Sequence, residues 1–119
     1  MAWRVDFHDE FDAEFKALAA TVREELLAMA KHLSVFGPEA RRPRVDTLNG
    51  SRHRNMKELR FDAAGGVWRV AFAFDPRRHA ILLVAGDKAG TGQRRFYKRL
   101  IATADRRFDE HLGKLKRLG

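Results

Sequence analysis

The chain predicts an α+β domain: an N-terminal strand and a helical hairpin packed on an antiparallel sheet, closed by a long C-terminal helix. Three observations predict it. Between residues 56 and 85, three apolar runs either alternate with period two or are apolar throughout, and turn residues separate them, as in the strands of a meander. Ahead of them, Phe7, Phe11, Phe15, Leu18, Val22, Leu26, Met29 and Leu33 recur every three or four residues, the stripe of amphipathic helices. Behind them, Phe96, Leu100, Ile101, Ala104, Phe108, Leu112 and Leu115 repeat that spacing and predict a helix over about 93–115. No linker or repeat interrupts the 119 residues, so residues 1–119 form a single domain.

In chain order, residues 3–7 alternate as a short first strand, and Asp9 is placed to cap the helix that follows. Thr21 with Glu24 three residues on has the spacing of a capping box, which splits the stripe into two helices. Gly37-Pro38 ends the second. Residues 41–54 are a basic connector with a short extended piece over 45–48. Residues 56–61 alternate, and 62–66 read as a hairpin loop. In the next strand, 67–74, Trp68, Val70, Phe72 and Phe74 share a buried face. Arg69, Ala71 and Ala73 share the other, where small alanines predict open ground around the guanidinium. Residues 75–78 form a turn into 80–85, which is apolar on both faces and so central in the sheet. Residues 86–92 are glycine-rich, but Gln93 stands where a phosphate-binding loop needs lysine, and that reading fails.

Composition narrows the function. There is no cysteine, hence neither a disulfide framework nor a thiolate metal site, and a cytoplasmic chain is expected. No apolar run reaches the roughly 18 residues of a membrane span, and no signal-peptide core opens the chain, so no membrane is expected. His8, His32, His53, His79 and His111 are scattered without ligand spacing, so no metal is expected. The aromatic stripe reads as core and not as a cofactor box, so no small-molecule cofactor is expected either. The net charge of +8 is lopsided: residues 1–50 hold 7 basic against 9 acidic side chains, residues 51–119 hold 17 against 7. A basic half of this kind suits a polyanion, nucleic acid first among them.

The groups left for chemistry are cations, the single tyrosine and a few acids. Arg69, Glu58, Arg60, Lys57, Lys88 and Tyr97 are the candidates, with Arg94, Arg95 and Lys98 around Tyr97. Metal-free RNA cleavage needs such a set. The 2′-hydroxyl loses a proton as it attacks phosphorus, the leaving oxygen gains one, and fixed cations hold the phosphorane's charge. Arginine suits the last task because it stays charged and grips phosphate with two parallel bonds. Tyr97 can be the base only where neighbouring cations lower its pKa; Glu58 is the other candidate general base, with pairing to Arg60 or Arg69 as its competing role.

Leu48-Asn49-Gly50, Lys57-Glu58-Leu59-Arg60-Phe61, the run from Val67 through Trp68-Arg69-Val70 to Phe72, Gly86-Asp87-Lys88-Ala89-Gly90 and Arg95-Phe96-Tyr97-Lys98 together resemble the RelE/ParE toxin superfamily, most closely its HigB-like, phage-derived branch. The resemblance covers nearly the whole chain. It implies a RelE-like microbial RNase fold and the toxin of a type II toxin–antitoxin system: a metal-independent, ribosome-dependent mRNA endoribonuclease, neutralised by a helix-turn-helix, HigA-like antitoxin. By position it implies that Arg69 stabilises the phosphate and that Tyr97 stands near the scissile bond. Lys57, Arg60 and Lys88 complete the implied catalytic set, and Arg52, Arg54, Arg94, Arg95 and Lys98 are the candidates for contact with mRNA on the ribosome. A ParE-like gyrase inhibitor without catalysis, or an inactive nucleic-acid-binding relative, is the alternative.

Overall fold

A computed structural model describes residues 2–119. β1 (Arg4–Phe7) leads into α1 (Asp9–Lys16) and α2 (Ala20–Phe36). A 3-10 turn (Gly37–Glu39) follows, then β2 (Val45–Thr47), β3 (Lys57–Ala63), β4 (Gly66–Phe74), β5 (His79–Asp87) and α3 (Gln93–Leu118). The strands form one sheet in the order β1-β5-β4-β3-β2. β2 to β5 are antiparallel, and β1 adds to β5 in parallel, so the first strand is an edge of the sheet itself. β5 lies between β1 and β4, an interior place that suits its two apolar faces, while β4 is the middle strand. No helix among the described residues is long and apolar enough to cross a membrane.

Helices cover both faces of the sheet. On one, Leu59, Val70, Phe72 and Leu82 pack with Phe11, Leu26, Met29 and Leu33 of the hairpin. On the other, Ala71, Ala73, Ile81 and Leu83 pack beneath Phe96, Leu100, Ala104 and Phe108 of α3. The open ground expected around Arg69 is therefore absent. Ala71 and Ala73 are fully buried, and their small side chains give α3 room to lie against the strand. Gly86 extends this floor: a Cβ there would stand 2.9 Å from the Phe96 ring. Trp68 keeps only part of its expected burial, because it sits near the strand end opposite Asp87, clear of the main core.

Local boundaries also move. His8, rather than Asp9, precedes α1, and its Nδ1 accepts the Glu10 N–H at 3.1 Å. Asp9, Glu10 and Asp12 then put negative charge in the first turn, where the helix dipole favours it. The hairpin breaks at residues 17–19, ahead of the Thr21–Glu24 pair, and Ala19 offers no side-chain cap. Arg23 instead donates to the Leu18 carbonyl and closes that turn. The β3–β4 loop shrinks to Ala64-Gly65, both at positive φ as a tight hairpin turn requires, because Asp62 and Ala63 pair with Val67 and Gly66.

Arg107 ties three elements together. Its guanidinium donates to Glu14 at 2.6 and 2.8 Å and to the Leu83 carbonyl at 2.8 Å, with the residue 5% exposed. Arg107→Ala strands that carbonyl, while Glu14 can turn to solvent. The expected loss is about 1–3 kcal/mol, read as a lower urea midpoint at unchanged slope.

Candidate active site

The β3–β4 register sets Arg60 opposite Arg69, two like charges on one face of the sheet. Glu58, two residues before Arg60 and opposite Ala71, shares that face and relieves the repulsion. Its Oε1 lies 3.9 Å from Arg69 Nε, and its Oε2 lies 3.6 Å from Arg60 Nη1. Tyr97 comes down from the first turns of α3 and donates its hydroxyl proton to Glu58 Oε1 at 2.9 Å. Arg69 Nε donates to the same hydroxyl at 3.3 Å, and Arg69 Nη1 donates to the Trp68 carbonyl at 2.9 Å. Arg69 Nη2 has no hydrogen-bond partner among the described residues. Glu58 and Arg69 are 4% and 6% exposed, so this is a buried polar cluster, of which Glu58 and Tyr97 reach the surface on one side.

That side is a groove of about 530 Å³ between β2, β3 and the start of α3. Glu58, Arg60, Tyr97 and Arg94 border it, together with Asp46 and Asn49. Burial raises the Glu58 carboxyl above its ordinary value of 4.5, against the pull of the Tyr97 hydrogen bond and the two arginines. Burial and the adjacent carboxylate also raise the Tyr97 phenol. The condition under which Tyr97 would be the base, a lowered pKa, is not met. Of the two candidates, Glu58 is the one whose pKa moves toward neutrality, as a general base requires.

The family described as phage-derived, Gp49-like proteins matches residues 13–109. The chain belongs to that family. Over 117 residues this Gp49-like chain is 40% identical to a Mycobacterium tuberculosis protein named as a candidate toxin, HigB2, a match spanning 98% of the chain and 57% of that protein. A second M. tuberculosis protein, the candidate toxin HigB3, is 50% identical over 80 residues, or 67% of this chain and 68% of its own length. Among solved structures, the E. coli toxin RelE, a double arginine-to-alanine mutant in the free state, superposes with a TM-score of 0.62 at 17% identity. That superposition covers 90% of this chain and 98% of RelE, and it shows a shared fold. The branch and the fold expected from the strand motifs are both found.

The fold of the Gp49-like chain brings Arg69, Glu58, Arg60 and Tyr97 together. Lys88 joins them, its ammonium 5.7 Å from the centre of the Tyr97 ring. Arg94 and Lys98 flank Tyr97 on α3, at i−3 and i+1, and both are exposed, as is Arg95. Lys57 is set apart: it alternates with Glu58 along β3 and so faces the hairpin side. Arg52 is engaged with Asp109, and Arg54 is exposed in the same loop. That loop is fastened to α3, because the buried Asp105 accepts from Ser51 Oγ at 2.5 Å and from the Arg52 N–H at 3.1 Å. Asp46 was missed from the sequence. It pairs with Arg60 at 3.4 Å and Arg42 at 3.5 Å, because β2 sets Asp46 opposite Glu58.

A second cleft, about 700 Å³, lies some 13 residues along α3, about 20 Å away at 1.5 Å per residue. It holds His8, Glu10 and Glu110, a grouping of ligand types that the scattered histidines did not predict. His8 Nδ1 accepts a backbone N–H, so the ring proton sits on Nε2 and points to Glu110 at 3.2 Å. Arg106 and Arg107 already pair with Glu10. These groups form an ion-pair network, with no lone pair of His8 turned toward a cation.

Proposed function

We propose that this chain is the toxin of a toxin–antitoxin pair and cleaves mRNA on the ribosome in the cytoplasm, by attack of the RNA's own 2′-hydroxyl. The observation that supports it best is the buried Glu58–Tyr97–Arg69 cluster, whose Glu58 and Tyr97 open on a groove bordered by Arg60 and Arg94. Glu58 takes the 2′-hydroxyl proton as the O2′–P bond forms. Tyr97 holds Oε1, so Oε2 is the oxygen left for the RNA. Arg60 on the groove wall and the unpartnered Nη2 of Arg69 hold the phosphorane's equatorial oxygens. The P–O5′ bond breaks as the leaving oxygen gains a proton, for which Lys88 is the proposed source. The products are a 2′,3′-cyclic phosphate and a 5′-hydroxyl. Arg94, Arg95, Lys98, Arg52 and Arg54 would contribute phosphate contacts around the groove. A helix-turn-helix antitoxin would restrain the activity, and the excess positive charge of residues 51–119 gives it an electrostatic handle.

Induction of the chain followed by primer extension tests this directly. Discrete mRNA breaks with 5′-hydroxyl ends are expected, with protein synthesis failing before DNA replication. Breaks bearing 5′-phosphate would instead implicate activated water as nucleophile. Intact mRNA with gyrase-linked DNA breaks would replace the nuclease by a ParE-like inhibitor.

A further inference from the structure

Away from the groove, the C-terminal end of α2 and the connector that follows it form a basic pocket of about 360 Å³. Its floor is aromatic: the His32 and Phe36 rings lie 4.6 Å apart between centroids, tilted by 40°. Phe36 is 49% exposed, an apolar ring with a free face. Arg41, Arg42 and Arg44 stand around it, with Glu39 as the one acid on the rim. Arg41 Nε donates to the Glu39 carbonyl at 3.4 Å, and Arg42 pairs with Asp46. Arg44 has no acidic partner within 4 Å among the described residues. Burial and the nearby Arg44 lower the His32 pKa, which favours the neutral imidazole at neutral pH.

We propose that this corner binds a nucleotide of single-stranded RNA, its base stacked on the Phe36–His32 pair and its phosphates held by Arg41 and Arg44. The combination selects the ligand. An acidic peptide satisfies the arginines and leaves the rings without a flat partner, and an apolar peptide does the reverse. A nucleotide uses both, since every base offers a π-face and every phosphate a charge. Position supports it too. The Arg44 carbonyl accepts the Arg60 N–H at 2.8 Å, and Asp46 bridges Arg42 and Arg60, so the corner continues into the candidate active site along one arginine-lined edge. A strand of RNA held here would be fixed upstream or downstream of the bond at Glu58. The inference concerns binding alone and stands apart from the cleavage reading.

The test is anisotropy of a fluorescein-labelled, 2′-O-methylated RNA decamer with the full-length chain. The probe lacks the nucleophilic hydroxyl, so binding is read without cleavage. A chain that binds it but leaves mRNA intact would fail only the cleavage reading. Phe36→Ala is expected to weaken binding roughly 5- to 150-fold, the span of one base–aromatic stack. Phe36→Leu, which keeps apolar bulk without a flat ring, should be similarly impaired, and Phe36→Trp should bind at least as well as the wild type. Arg41→Gln with Arg44→Gln should flatten the salt dependence, by about 0.7 in the log–log slope for each phosphate no longer held. Circular dichroism checks folding, which a half-exposed ring should leave intact. No measurable binding by the wild type, full binding by Phe36→Leu, or equal competition by a glutamate decamer would each overturn the proposal.

Discussion

Glu58→Gln is expected to slow cleavage by about a hundred- to ten-thousandfold, the usual contribution of a positioned general base, while leaving the fold at least as stable at neutral pH. The two halves share one cause. The folded-state pKa of Glu58 is raised above its ordinary 4.5, so folding favours the protonated carboxyl. The stability this group contributes is complete below the unfolded value and is lost as pH rises through the raised folded value. Above that window the ionised side chain costs the fold something. The raised value already includes the attraction of Arg60 and Arg69, so a neutral isostere gives up that attraction and still comes out level or ahead. Urea midpoints should show the wild type falling behind Glu58→Gln as pH climbs from about 4.5 to neutrality. The wild-type cleavage rate should fall on the acid side as Glu58 takes up its proton. A variant that cuts as fast as the wild type would remove Glu58 from the chemistry.

Arg69→Ala is expected to cost both activity and stability. Read as a strand arginine on an open face, it should be removable without harm to the fold. At 6% exposure and bonded to Tyr97 and the Trp68 carbonyl, it is not. Its loss takes one donor from that carbonyl and leaves Glu58 short of a cation, for about 1–3 kcal/mol of stability. Loss of a phosphorane donor adds a hundred- to thousandfold fall in rate. The acid limb of the pH–rate profile should also move to higher pH, because a favourable charge beside Glu58 is gone. The alkaline plateau separates two roles. A deficit persisting there is the expected result and means contact with the phosphate. Full recovery there would make Arg69 a residue that acts only through Glu58. Arg69→Lys should restore the pH profile better than the rate, since an ammonium keeps the charge and loses the fork.

The element order was legible because most elements carry a period: two in β3 and β4, three to four in the helices. What periodicity cannot carry is which element lies over which face. Ala71 and Ala73 look like exposed small residues in a strand and are a packing floor, because the sequence does not reveal that α3 covers them. The same limit hid the site. Glu58, Arg69 and Tyr97 were each legible as candidates, yet the bond from Tyr97 to Glu58 joins residues 39 apart and depends on where the helix lands. Asp46 escaped because three residues of strand carry too little alternation to announce a pairing. Two local rules failed where two solutions compete: His8 over Asp9 as the cap, and Arg23 over the Thr21–Glu24 box at the hairpin bend.

The floor beneath α3 bears on how this family can diverge. Ala71, Ala73 and Gly86 carry no functional group, yet together they fix how close the helix rides to the strands, and through it the reach of Tyr97 to Glu58. A descendant could keep every charged group in place and still fall silent by gaining a methyl or two at those positions. Another could lose a charged group and recover by resetting the height of the helix. Inheritance of activity in such a lineage is recorded as much in its smallest side chains as in its arginines, and a comparison of polar residues alone would misjudge both descendants.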